Sequence, residues 1–167
     1  MSARLSSKTN AFVFARAEKY RLVKARGFSL ARYVSSRAFV ARDVPIGDNG
    51  FILENNTIQP FARIGNDVTL WSGNHIGHHA VIGDHVFVSS QVVISGGVKV
   101  GANCFLGVNA TVSNGIELAP GTVLGAGAMI LKNTVPDVVY PGAGSKLRLT
   151  KGSKLQFFTP RKARPKP

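Results

Sequence analysis

The sequence predicts an all-β protein that folds as a parallel β-helix of hexapeptide repeats. An Ile, Leu or Val recurs at every sixth residue from Ile46 to Ile130, fifteen times in succession. The residue after each of these is often Gly, Ser or Ala, and the residue two before is small or β-branched in most repeats. A period of six fits neither an amphipathic helix nor a half-buried strand. It is typical of hexapeptide β-helices, in which every repeat stacks on its neighbours.

Each hexapeptide supplies one large inward side chain and one smaller one. Three short strands close a triangular coil of eighteen residues, so aliphatics eighteen residues apart stack at about 4.8 Å. We expect the small residues after the aliphatics at the corners, where glycine can take a positive φ. Fifteen repeats make about five coils, and Val34 and Val40 extend the phase backwards. A β-sandwich, the all-β alternative, would show strands spaced by roughly 8–12 residues with alternation. The period does not determine the handedness.

The open ends of such a prism require caps. We therefore expect an N-terminal helical segment over 1–33, the β-helix over 34–135, and a C-terminal cap with a flexible basic tail over 136–167. A basic helix is predicted from about Ala15 to Arg26, ending at Gly27. The run from Thr159 to Pro167 has the composition of a disordered segment.

The net charge of +13 belongs to the two ends of the chain. Residues 43–144 hold three Lys/Arg and seven Asp/Glu, a net of −4. We expect solvated basic tails and no nucleic-acid partner, because aromatic residues do not interleave with the cations along a face. The apolar run AFVFA is too short for a membrane span. A single cysteine, Cys104, fits a reducing cytoplasm, while an Arg- and Ser-containing, acid-poor N-terminus leaves a transit peptide open.

All four histidines lie between residues 75 and 85, and none falls on an inward position of the period. An exposed imidazole can act as a general base near neutral pH. His78 and His79 are the best candidates, because the eighteen-residue stacking places His78 next to Gly96, where an acyl group has room. His75 either supports the same site or fills an interface.

His85 is expected to be structural, because it stacks beside Asp67. Zinc is the competing interpretation of the histidines, but no histidine lies outside 75–85. Adjacent side chains such as His78 and His79 also point in different directions. We expect no metal site.

Three segments carry a resemblance to a known family. WSGNHIGHHAVIGDH at 71–85, SGGVKVGANCFLGVNATV at 95–112 and VLGAGAMILKN at 123–133 resemble sugar acetyltransferases of the sialic-acid O-acetyltransferase and bacillosamine N-acetyltransferase type. The resemblance covers about residues 16–148. It implies a left-handed β-helix, a homotrimer, and acetyl-CoA bound in clefts between neighbouring prisms.

The resemblance also implies a reaction and a set of site residues. The acceptor is an amino or hydroxyl group of a sugar or nucleotide-sugar, and the general base matches His78. Gly96 matches the position that stabilises the oxyanion. The pantetheine arm is lined by positions matching Gly107, Val108, Gly125 and Ala126. By charge alone, Lys132, Lys146 and Arg148 are candidate partners of the cofactor phosphates.

The sequence departs from this family in three places. The acid that often follows the base is replaced by His79, and a cofactor-contacting histidine of some members is replaced by Phe87. Residues 16–38 resemble only the last helix and strand of the family's Rossmann-like acceptor domain, so the N-terminal segment is either a remnant of that domain or a cap. Two alternatives therefore stay open, an acetyltransferase for another small acceptor and a non-catalytic or truncated β-helix. The unbroken period disfavours the first, because related enzymes for antibiotics or serine often carry an inserted loop.

Overall fold

The computed structural model describes residues 2–142 and 144, with side chains from Ala11 onward. It contains one helix, α1 (Ser2–Ala25), followed by strands of two residues each. The strands are β1 (Tyr33–Val34), β2 (Phe39–Val40), β3 (Phe51–Ile52), β4 (Thr57–Ile58), β5 (Arg63–Ile64), β6 (Thr69–Leu70), β7 (His75–Ile76), β8 (Val81–Ile82), β9 (Phe87–Val88), β10 (Val93–Ile94), β11 (Lys99–Val100), β12 (Phe105–Leu106), β13 (Thr111–Val112), β14 (Glu117–Leu118), β15 (Val123–Leu124), β16 (Met129–Ile130) and β17 (Val139–Tyr140).

The strands form three parallel sheets, one on each side of a prism. Sheet A has the order β1-β3-β6-β9-β12-β15-β17, sheet B is β16-β13-β10-β7-β4-β2, and sheet C is β14-β11-β8-β5. Ile76 pairs with Ile58 on one side and Ile94 on the other, which is the predicted eighteen-residue register. The left-handed β-helix is confirmed, with about six turns where the sequence predicted about five. The additional turn comes from β1 and β2 before the main series and β17 after it.

The prism core is filled as the period predicts. The repeat aliphatics from Ile52 to Leu124 are almost fully buried, and so are the smaller residues two positions before them, such as Ala80 and Cys104. Asn56 and Asn74 take this smaller inward position and are also buried. The side-chain amide of each donates to the carbonyl of Trp71, and Asn74 Oδ1 accepts from the N–H of Val92. The sequence analysis missed this buried amide column.

The corners correct one expectation about the small residues. Positive φ occurs at the third residue after each aliphatic, at every sixth position from Asn49 to Gly127. The residue directly after the aliphatic is small for a different reason, because it packs against the backbone of the next coil. A Cβ on Gly77 would lie 2.5 Å from the Gly96 nitrogen, and a Cβ on Gly107 would lie 2.8 Å from the Ala126 nitrogen.

Helix α1 packs across the outer face of sheet A. Val13 and Ala17 are fully buried there, and Phe12 meets the ring of Phe87 edge-on at 5.5 Å. The helix begins earlier than the predicted Ala15 and ends before Gly27, whose φ of +82° permits the left-handed turn. Among the described residues, no helix combines the length and apolar character needed to cross a membrane.

Two ion pairs fix the helix to the corner between sheets C and A. Lys24 Nζ lies 2.6 Å from Asp48 Oδ2, and this hydrogen bond lowers the pKa of the Asp48 carboxyl and raises the pKa of Lys24. Nearer the middle of the helix, Arg16 donates to both the carbonyl and a carboxylate oxygen of Asp67. Because Asp67 is buried, the second pair is the less exposed to solvent screening.

Candidate functional site

His78 lies on the corner that joins sheet B to sheet C, which we call the His78 corner (residues 59–62, 77–80, 95–98 and 113–116). It is the second residue after Ile76. Its N–H donates to Gln59 Oε1 at 2.9 Å, and its carbonyl accepts from the N–H of Gly97 at 2.9 Å. The backbone is therefore fixed from the coils on both sides, while the imidazole is exposed to solvent.

The imidazole of His78 packs directly against Gly96. A Cβ on Gly96 would lie 2.7 Å from both Cε1 and Nε2 of this ring. Gly96 is the only glycine at the second position after an aliphatic between residues 48 and 132. Neither the positive-φ corners nor the close approach of the next coil accounts for a glycine here. The reason is the side chain of His78, whose imidazole leaves no room for a Cβ on this residue.

His79 contacts His78 through an unusual pair of ring nitrogens. Nδ1 of one imidazole lies 3.1 Å from Nδ1 of the other, and the rings meet nearly edge to face. One ring must donate and the other accept. On its other side, His79 stacks against Phe61 with a centroid distance of 4.8 Å and a tilt of 31°. No carboxylate bonds to the His78 ring within the described part of the chain.

The other two histidines have different surroundings. His75 points outward from sheet B, half-buried between Thr57 and Val93. His85 lies outside the prism core, as predicted, yet it is buried because α1 covers it. Its Nδ1 lies 2.9 Å from Asp67 Oδ2, and the ring of Tyr20 meets it edge-on at 5.3 Å. His85 therefore belongs to the attachment of the helix.

The residues matched to the pantetheine arm lie on another corner, the one that joins sheet A to sheet B. Val108 and Ala126 are exposed there, and the carbonyl of Val108 accepts from the N–H of Gly127 at 2.8 Å. Gly107 and Gly125 pack against the next coil behind them. In one chain the outer face of sheet B separates this group from His78 and Gly96. The six-residue period already places these two groups of residues on different corners, but the sequence analysis did not draw this conclusion.

The outer face of sheet B between the two corners carries three apolar side chains among polar ones such as Thr57 and His75. Phe39, Val93 and Met129 are 61%, 38% and 68% exposed on it. Lys132, two residues after the end of β16, is exposed. The other two candidate phosphate partners, Lys146 and Arg148, lie outside the described residues.

Phe87 has a structural role that explains why it is aromatic. Its ring stacks on Phe105 at 5.4 Å with an interplanar angle of 4°, beneath Phe12 and the guanidinium of Arg16. The aromatic ring at this position therefore serves to pack α1 against sheet A. Within residues 2–142, no group of three or more His, Cys, Asp or Glu side chains is arranged to hold a metal ion.

Two family profiles match the prism. Residues 61–96 match the profile described as bacterial transferase hexapeptide (six repeats), and residues 97–132 match the hexapeptide repeat of succinyl-transferase. No curated protein sequence matches the chain. The hexapeptide repeat inferred from the period is thus confirmed.

Several solved structures share the fold. The acetyltransferase domain of PglB from Neisseria gonorrhoeae, in complex with acetyl coenzyme A, is 20% identical with a TM-score of 0.73, over 76% of this chain and 62% of that one. PerB from Caulobacter crescentus, in complex with CoA and GDP-perosamine, is 27% identical with a TM-score of 0.71, over 74% of this chain and 59% of that one. AntD, an N-acyltransferase from Bacillus cereus, is 16% identical with a TM-score of 0.62, over 80% and 90%. The chain spans about 60% of the length of PglB's domain and PerB. The likeness to PerB supports the resemblance to hexapeptide-repeat sugar acetyltransferases, and the other two structures show the shared fold.

Proposed function

We propose that this protein transfers an acetyl group from acetyl-CoA to an amino or hydroxyl group of a sugar or nucleotide-sugar, with His78 as the general base. The observation that carries the proposal is the exposed imidazole of His78 lying over Gly96, a glycine that the fold itself does not require. The likeness to PerB, which was solved with CoA and GDP-perosamine, supports this class of substrates.

In the proposed reaction His78 moves one proton. Its Nε2 takes the proton of the acceptor as the acceptor nitrogen or oxygen forms a bond to the thioester carbonyl carbon. The carbon–sulfur bond then breaks, and His78 returns the proton to the sulfur that leaves. A general base of this kind typically contributes 10²–10⁴-fold in rate.

Gly96 supplies a candidate donor for the negative charge that develops on the carbonyl oxygen. Its N–H has no acceptor within residues 2–142. A preorganised backbone N–H next to the reacting carbon stabilises an oxyanion without reorganisation during the reaction. The absence of a side chain at Gly96 lets the thioester approach both this N–H and the His78 ring.

The His79 neighbour favours an amine over a hydroxyl acceptor. A carboxylate bonded to Nδ1 would stabilise the imidazolium that forms when the base takes a proton, whereas the imidazole of His79 that lies there carries no negative charge. An amine attacks with its own lone pair and needs less help from the base than a hydroxyl does. We therefore propose N-acetylation as the main reaction and O-acetylation as the weaker one.

A second copy of the chain completes the proposed site. His78 and Val108 lie on different corners of one prism, with the outer face of sheet B between them. A homotrimer would bring the His78 corner of one copy next to the Val108 corner of another and cover apolar side chains such as Val93. Acetyl-CoA would lie in this cleft, with Lys132 near its phosphates. We place the protein in the cytoplasm, where a buried free thiol such as Cys104 stays reduced.

The test is thiol release from acetyl-CoA with a panel of amino sugars and nucleotide-linked amino sugars. We expect His78→Ala to lower kcat/KM by about 10²-fold or more, and Lys99→Ala, on the outer face of sheet C, to leave it unchanged. Equal rates for wild type and His78→Ala would remove His78 as the base. No release with any acceptor and no heat of acetyl-CoA binding would favour the non-catalytic β-helix. A monomer by light scattering would contradict the shared cleft.

A further inference from the structure

Phe61 has a backbone conformation that its side chain disfavours. At the positive-φ corners from Asn49 to Gly127 the residue is Asn, Asp, Gln, His or Gly, with the one exception of Phe61 at φ +63°. Asn, Asp and Gly tolerate this region, whereas a bulky residue there is an outlier that the surrounding structure must hold in place. The ring is also 61% exposed, so burial in the core does not repay the strain.

The ring of Phe61 stacks against the imidazole of His79. The two rings are tilted by 31° with their centroids 4.8 Å apart. His79 in turn reaches Nδ1 of His78 with its own Nδ1 at 3.1 Å. A chain of three rings therefore ends at the imidazole that lies over Gly96. Strain stored next to a reactive group is a reason to look for a functional role.

We propose that His79 and Phe61 are positioning residues that hold His78 in the tautomer a base requires. This inference rests on the proposed role of His78. When Nδ1 of His78 carries the proton and donates it to Nδ1 of His79, the lone pair of His78 is on Nε2, next to Gly96. The opposite hydrogen bond, donated by His79, leaves the proton of neutral His78 on Nε2, where it cannot accept one.

Phe61 contributes because the hydrogen bond between the two imidazoles requires a fixed orientation of the His79 ring. Stacking limits rotation of the His79 ring, so that its Nδ1, rather than its carbon edge, faces His78. The backbone of Phe61 is held separately, since its N–H donates to Asp43 Oδ2 at 2.6 Å. Removal of the ring should therefore leave the corner intact and free only His79.

The decisive variant is Phe61→Gly, in which activity should fall without a loss of stability. Glycine adopts positive φ without strain, so we expect the melting temperature to stay the same or rise. We expect kcat to fall about tenfold, a part of what a general base contributes, with the KM for acetyl-CoA within about twofold. Phe61→Tyr retains the ring and should retain kcat. Asn103→Gly, at a positive-φ position on the corner that joins sheet C to sheet A, should leave kcat unchanged.

Two variants of His79 and one spectrum test the hydrogen bond itself. His79→Glu keeps an acceptor next to Nδ1 and should keep or raise kcat, whereas His79→Phe removes the acceptor and should lower it about tenfold. Long-range proton–nitrogen NMR spectra of the imidazoles should show His78 protonated on Nδ1 in the wild type and in His79→Glu, and a mixture of tautomers in His79→Phe and Phe61→Gly.

The possible failures are distinguishable. An inactive wild type with all acceptors would remove the proposed function, while the spectra would still report whether Phe61 and His79 set the tautomer. An active wild type whose Phe61→Gly variant keeps its full kcat would overturn the positioning role alone. So would a His78 tautomer that does not change in His79→Phe.

Discussion

Gly96→Ala should separate catalysis from stability at the His78 corner. The new Cβ would lie 2.7 Å from Cε1 and Nε2 of His78, whereas unstrained contacts between such atoms are about 3.5–4.0 Å. The imidazole must therefore retreat by about 0.8 Å or more. A displacement of about 1 Å at a reacting group costs on the order of 10²-fold in rate, which corresponds to about 2.7 kcal/mol of transition-state stabilisation.

The fold should tolerate the same substitution. Gly96 does not have a positive φ, so alanine can adopt its backbone conformation. Replacing glycine at such a position stabilises a protein by about 0.4–1 kcal/mol through the unfolded chain, and the displaced ring is exposed. We expect the free energy of unfolding to change by less than about 1 kcal/mol.

Gly115→Ala is the matched control, one coil further along the same corner. Its φ is +66° and no heavy atom lies within 4 Å of the new Cβ, so the methyl group contacts nothing but costs about 1–2 kcal/mol of backbone strain. Urea unfolding and thiol release are measured for both variants. We expect Gly96→Ala to lose activity and keep stability, and Gly115→Ala to do the reverse. A Gly96→Ala enzyme within about threefold of the wild-type kcat/KM would refute the reasoning.

Three further predictions concern buried groups. Asp67→Asn, which retains a residue that tolerates positive φ, removes the carboxylate charge next to Arg16 and His85 and should cost about 1–3 kcal/mol in urea unfolding with kcat unchanged. An unchanged midpoint would show that the pairing of Asp67 with Arg16 does not hold α1. Burial raises the pKa of Cys104 to about 12, so an aromatic disulfide reagent at pH 8 should react with this thiol only after unfolding, and fast labelling of the native protein would contradict this. The free energy of unfolding should also fall as pH rises above about 8.5, because only the unfolded thiol ionises there. Asn74→Ala leaves the buried N–H of Val92 without its acceptor, although Asn56 still donates to the Trp71 carbonyl, and should cost about 1–3 kcal/mol. A loss below about 0.5 kcal/mol in thermal unfolding would count against the amide column.

The period alone predicted most of the fold, because one register relates every coil to the next. It correctly placed Asp67 beside His85 and Gly96 beside His78. It could not predict that His85 would be buried, because that depends on α1, which lies outside the repeat and packs through Val13 and Ala17.

Two other features lay beyond the sequence reasoning for different physical reasons. The small residues were assigned to the turning positions, but side-chain size does not distinguish a steric limit from a need for positive φ, and only the backbone shows which applies. The contact between Nδ1 of His78 and Nδ1 of His79 depends on rotamers. The expectation that the adjacent side chains of His78 and His79 point in different directions is therefore wrong for their rings, because the direction of the Cα–Cβ bonds does not determine where an imidazole lies.

The most informative positions of a repeat are those where a residue departs from what its place in the coil requires. Two such departures in this chain are Phe61, an aromatic at a strained corner position, and Gly96, a glycine at a position that needs none. Phe61 is eighteen residues before His79, and Gly96 is eighteen residues after His78. They therefore lie one coil to each side of the same pair of imidazoles, one orienting it and the other leaving it space. Phe61 contacts the ring of His79 and Gly96 lies against the ring of His78. Both exceptions therefore adjoin one pair of imidazoles, and the repeat itself points to the His78 corner as the place where function constrains the chain.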